Sequence, residues 1–143
     1  MNTIKTPLKA ETIIDAPIEK VWDLWTSPNH IPKWNNTSVE WHTPRAENDL
    51  RVGGKLFLRM ELKDGSKGFD YVCIYDEVII KEKITHTTAD NRKTTIVFEV
   101  VDNGVKLTEL FEPEDKTPLD VQQAFCQSIL DNFKKYVEDK AMA

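Results

Sequence analysis

The chain has 143 residues, 30% of them charged and 40% hydrophobic, with a net charge of −5. This length fits one domain with a real core, since chains of this size bury roughly 68–70% of their unfolded surface. The acidic balance argues against nucleic acid, which calls for a basic surface to displace counterions, and no run approaches the ~18 apolar residues of a membrane span.

In chain order, Met1-Asn2-Thr3-Ile4-Lys5 lacks the apolar core of a signal peptide. Leu8 to Asp15 alternates weakly and reads as a first strand. Ala16-Pro17-Ile18-Glu19 opens a helix, because proline suits a first helical position, where its missing N–H has no partner to lose. Val21, Trp22 and Trp25 give that helix an apolar stripe. Ser27-Pro28 repeats the device and opens a second short helix through His30, Ile31 and Trp34. The pattern then switches to period two. Strands are expected at Val39–Thr43, Lys55–Lys63, Phe69–Ile80, Lys83–Thr88, Lys93–Val101 and Val105–Glu112. Their separators are turn chemistry (Asp64-Gly65, Ala89-Asp90-Asn91 and Asp102-Asn103-Gly104), and such short loops force antiparallel neighbours. Thr117-Pro118 starts a last helix to about Glu138, roughly 30 Å long. Val121, Phe125, Cys126, Ile129, Leu130, Phe133, Tyr136 and Val137 cover about half its wheel. So wide an apolar face belongs in a concave sheet, and a sheet gripped around a helix tends to leave a cavity between them.

Several segments together carry a family resemblance. They are Ala16-Pro17 with Val21-Trp22, Ile31 with Trp34-Asn35, and Ala46-Glu47-Asn48-Asp49-Leu50-Arg51-Val52-Gly53-Gly54. Arg59-Met60-Glu61, Lys63-Asp64-Gly65-Ser66, Gly68-Phe69-Asp70, Thr108-Glu109 with Phe111-Glu112, and Ile129 to Tyr136 complete the set. In that order the chain resembles the START-like (SRPBCC, helix-grip) superfamily. Within it, the segments are similar to the branch named after the activator of the ninety-kilodalton heat-shock chaperone's ATPase. The resemblance implies an α+β fold: a curved antiparallel sheet of six to seven strands wrapped around a long C-terminal helix, with two short helices after strand one, all in one domain over residues 1–143. It specifies no activity. The family's last helix usually carries Gly-Trp where this chain has Phe125-Cys126, and a strand glycine where Cys73 stands. Both departures imply a smaller, reshaped pocket. The additional N-terminal domain of the eukaryotic activator has no counterpart in the 143 residues.

Alternation assigns the faces. Leu56, Leu58, Met60 and Leu62 share one face of their strand. Phe69, Tyr71, Cys73 and Tyr75 share another face, inward by the family pattern, which turns Val72 and Ile74 outward. Glu109 shares the apolar face of Val105, Leu107 and Phe111. A carboxylate there must be paired, protonated or at a wet cavity mouth. It is either a ligand-orienting or acid–base group with raised pKa, or a structural acceptor. His86 shares a face with Ile84 and is either a partner for Glu109 or a satisfied core histidine. Tyr71 and Tyr75 either donate to a ligand oxygen or find a partner in the core. Trp22, Trp25, Trp34 and Trp41 either roof an entrance or pack the core.

The expected cavity is therefore lined by Trp22, Leu56, Leu58, Met60, Tyr71, Cys73, Tyr75, His86, Phe98, Glu109, Phe125 and Ile129. The function expected is binding of a small hydrophobic or amphipathic molecule there. Two alternatives are a cyclase- or hydrolase-type enzyme using Glu109 and His86, and an interaction module. The module would be a homodimer or a chaperone partner, using outward Val72 and Ile74 or the last helix, with the chaperone the less favoured. No cofactor or metal is expected. His30, His42 and His86 share no ligand spacing, and Gly53-Gly54 enters a strand rather than a helix. Cys73 and Cys126 form no framework and read as buried free thiols, which fits a cytoplasmic protein.

Overall fold

The computed structural model describes residues 6–36 and 38–141; the signal-peptide reading of residues 1–5 lies outside them. The elements run β1 (Leu8–Ile14), α1 (Ile18–Thr26), α2 (Ile31–Trp34), β2 (Trp41–Asn48), β3 (Lys55–Leu62), β4 (Gly68–Ile79), β5 (Lys83–Thr88), β6 (Lys93–Val101), β7 (Gly104–Phe111) and α3 (Leu119–Ala141). This is the helix-grip architecture. One seven-stranded antiparallel sheet, ordered β1-β7-β6-β5-β4-β3-β2, curls about a long C-terminal helix. β2 to β7 form a meander, as the short polar turns require, and β1 closes the other edge against β7, with Leu8 opposite Phe111.

Two local expectations are corrected. Pro28 does not open α2. Ser27 caps the end of α1, and the Ile31 amide reaches back to the Ser27 carbonyl at 3.1 Å through a turn holding Pro28. The helix-start proline is Pro32. The second strand is not Val39–Thr43 but Trp41–Asn48, and Val39 is solvent-exposed. Pro44 hid its continuation. β2 is an edge strand with a register shift between His42 and Arg45, and proline is tolerated in such a place.

Curvature comes from irregularities in the ladder. A second shift between Tyr75 and Glu77 breaks the β4–β5 pairing, and bulges of this kind bend and twist a strand. There the loop before β3 docks: Gly53 donates to the Tyr75 carbonyl at 2.9 Å, and the Tyr75 amide returns a bond to Gly54 at 3.0 Å. Gly54 is glycine for want of room, since a Cβ there would sit 2.0 Å from the Asp49 carbonyl oxygen.

The helix is gripped along its second half. Leu130, Phe133 and Val137 are fully buried, and Phe133 meets Trp25 and Trp34 edge-on at 5.0 and 4.7 Å. Trp25 stacks on Trp34 at 4.7 Å, and Trp22 meets Phe98 at 5.1 Å. Trp22, Trp25 and Trp34 thus knit α1 and α2 into the core under α3, whereas Trp41 lies apart beside Phe69. The first half of α3 differs. Leu119, Val121 and Phe125 stay more than half exposed, so the apolar face of the wheel is only partly used for docking.

Candidate functional site

Where α3 stands away from the sheet, a cavity of about 340 Å³ remains. Its walls follow from strand alternation. β3 supplies Leu56, Leu58 and Met60; β4 supplies Phe69, Tyr71 and Tyr75; β5 supplies Ile84, His86 and Thr88. β6 and β7 add Thr94, Ile96, Glu109 and Phe111, and α3 covers them with Gln122, Phe125, Cys126 and Ile129. Trp25, Ile31, Trp34 and Asn35 close one end. Ile31 and Trp34 are buried, whereas Phe69 and Phe125 are about half exposed, so the mouth lies between those two phenylalanines. The tryptophans make a floor, not a roof.

Of the residues expected at the cavity, Leu56, Leu58, Met60, Tyr71, Tyr75, His86, Glu109, Phe125 and Ile129 face it. Trp22, Phe98 and Cys73 do not. Trp22 and Phe98 are consumed in each other's packing beyond the floor. Cys73 shares the inward face of β4 but is covered, with only 1% of its surface exposed. Phe125 does not plug the space as its size implied; it stands at the rim, 54% exposed. Sequence reasoning missed Asn48, Arg92, Gln122, Thr94 and Ile96. Thr94 and Ile96 were readable as the same-face neighbours of Phe98, and Gln122 lies one helical turn before Cys126.

Most polar groups on the wall already have partners. The Tyr75 hydroxyl donates to Asn48 Oδ1 at 2.5 Å, and Asn48 Nδ2 donates to the Thr26 carbonyl at 2.7 Å. Gln122 Nε2 donates to the carbonyls of Glu114 and Thr117 at 3.0 and 2.7 Å. Arg92 Nε donates to Asp90 at 2.7 Å, and Glu112 accepts the Lys93 amide at 2.6 Å. The Tyr71 hydroxyl rests against the Cys73 sulfur. Its pKa is raised well above the usual phenol value, by burial first and then by the Cys73 and Glu109 charges.

Glu109 and His86 are exceptions. Glu109 projects from β7 opposite Ile96 and Ala10, so its strand neighbours offer no polar group. Protein surrounds its carboxyl, and such surface as it keeps is cavity wall. That desolvation raises its pKa to about 7, and the Cys126 thiol, a weak donor, pulls only slightly the other way. The same burial and the Glu109 charge push the Cys126 thiol up, and burial pushes Cys73 up to about 12. His86 is 94% buried, and its Nδ1 has no hydrogen-bond partner. Burial lowers its pKa to about 4, opposed by the Asp76 charge, so it is neutral at neutral pH. His86 pairs with Thr94 while Glu109 pairs with Ile96, two strands and one pleat apart. That is roughly 12 Å between backbones. The two do not share a hydrogen bond, and the acid–base pair envisaged for an enzyme is not assembled.

The model for activator of Hsp90 ATPase homolog 1-like proteins matches residues 15–138. This chain belongs to that family. An AHSA1-like protein from Aeromonas hydrophila, solved in solution, is 36% identical, with a TM-score of 0.89 over 96% of this chain and 95% of that one. The Chr148 protein of Cytophaga hutchinsonii is 40% identical with a TM-score of 0.79, covering 96% and 94%. Protein NE0264 of Nitrosomonas europaea shares the fold at 16% identity, with a TM-score of 0.82 over 99% and 100%. No curated protein matches the chain. Membership of the AHSA1-like family supports a ligand-binding domain in general terms. Among the described residues no helix is long and apolar enough to cross a membrane.

Proposed function

We propose that this AHSA1-like chain, as one domain over residues 1–143, binds a small amphipathic molecule between the curled sheet and α3. The observation that carries the reading is the cavity itself: about 340 Å³, mostly apolar, with few polar groups converging on it. At about 30 Å³ per heavy atom, the share of a water molecule in the liquid, that space takes roughly eleven heavy atoms. An eight-carbon chain buried there gains about 6 kcal/mol before association costs, so affinities no tighter than tens of micromolar are expected for simple probes. Leu56, Leu58, Met60, Phe125 and Ile129 hold the apolar part in this reading, and Tyr71, Tyr75, His86 and Glu109 border its polar part.

Native mass spectrometry of protein purified from its own host tests this. An added mass near that of a ten-atom molecule, lost on denaturation, is the expected result. A bare mass, together with no thermal shift from any member of a panel of such molecules, overturns it. Free Cys73 and Cys126 also fit a reducing compartment, and we place the protein in the cytoplasm. Its recovery outside the cytoplasmic fraction would refute that placement.

A further inference from the structure

The polar wall of the cavity is asymmetric in what it still offers. Donors and acceptors on Tyr75, Asn48 and Gln122 are already engaged with protein partners. Arg92, the only cation lining the cavity among the described residues, is tied to Asp90 through its Nε. The Glu109 carboxyl has about four acceptor positions, and among the described residues the Cys126 thiol is its side-chain hydrogen-bond partner. The groups facing it are the Cys126 thiol from α3 and the Tyr71 hydroxyl and Cys73 thiol from β4. Glu112, His86 and Arg92 border the same space further off. None of the facing groups carries a positive charge.

We infer that the polar end of the occupant is a hydrogen-bond donor, a hydroxyl or an amine, received by Glu109, and that the cavity selects against a carboxylate of the same size. The inference rests on the binding proposed above and names its ligand class. A donor fills acceptor positions on the Glu109 carboxyl that its strand neighbours, Ala10 and Ile96, cannot fill. A carboxylate brings its own lone pairs against Glu109 and Glu112, and one engaged arginine is left to offset both. The selection sharpens with pH, because the desolvated Glu109 carboxyl ionises near 7.

The test compares 1-octanol, octylamine and heptanoate, each of about nine heavy atoms, by titration calorimetry and by the fluorescence of Trp25 and Trp34 in the cavity wall. At pH 8 the alcohol and the amine should bind about tenfold or more tighter than the carboxylate. From pH 6 to pH 8 the amine should tighten and the carboxylate weaken. Glu109→Gln should abolish both trends and close the gap between amine and carboxylate. Heptanoate binding as tightly as octylamine at pH 8, or a wild-type preference indifferent to pH, overturns the donor inference while leaving the binding cavity intact. If none of the three probes binds, the cavity reading fails and the inference goes with it. The wild-type ranking alone decides the matter should the variant not fold.

Discussion

At the scale of single residues, Glu109 and His86 pull the pH dependence of stability in opposite directions. Glu109 has a folded pKa of about 7 against an ordinary 4.5. As pH rises through that window the unfolded chain sheds the proton first, so the folded state loses roughly 3 kcal/mol of relative stability. His86 has a folded pKa of about 4 against 6.5. As pH falls through that window the unfolded chain takes up the proton first, and the folded state again loses roughly 3 kcal/mol. Between about pH 4.5 and 6.5 the two slopes cancel. Urea unfolding of Glu109→Gln should therefore show stability falling on acidification, and His86→Phe should show it falling as pH rises. Parallel profiles for both variants and the parent would refute the assignment. The sequence placed both residues on the inward face, because period-two alternation fixes the face of a strand residue. It did not place them along the cavity. Phe98 was likewise expected at the cavity, but its own strand could not say that Trp22 would cover it. Asn48 could not be found from its own surroundings, since its role depends on Tyr75 reaching it from another strand.

At the scale of elements, α3 has a docked half and an overhanging half. Phe133→Ala removes a fully buried ring packed against two tryptophans and should cost about 3–5 kcal/mol in urea unfolding. Phe125→Ala, at the half-exposed rim, should cost less than about 1 kcal/mol. Amide exchange should follow the same division, with residues 119–126 opening more readily than 130–137; uniform protection along the helix would count against it. The β6–β7 turn is more demanding. Gly104 has φ +131°, and a Cβ there would lie 2.0 Å from the Ile14 carbonyl oxygen. Gly104→Ala should therefore cost about 3 kcal/mol or more and loosen β1. The helix, the meander and its turns were legible because each is written locally, in apolar spacing and turn residues. The overhang of α3 was not. A wheel reports which face is apolar but not how much of that face the sheet reaches.

At the scale of the whole molecule, an occupant should stabilise everything that borders the cavity, since α1, α2, α3 and six strands contribute to its wall. With 1-octanol at about 100 times its dissociation constant, the gain is about 2.7 kcal/mol, or roughly 5–10 °C in Tm for a chain of this length. An unchanged melting curve at saturation would mean that the probe does not enter. The pairing of β1 with β7 has a further consequence, and it is felt during synthesis. The first strand leaves the ribosome about a hundred residues before its partner, an interval of roughly 5–20 s at ordinary elongation rates. Throughout that time it is an open edge able to template pairing with a neighbouring nascent chain. β7 covers one of its edges when residues 104–111 arrive, and the other is covered only by α3, where Gln127 accepts from the Glu11 amide at 3.2 Å and donates to the Glu11 carbonyl at 2.9 Å.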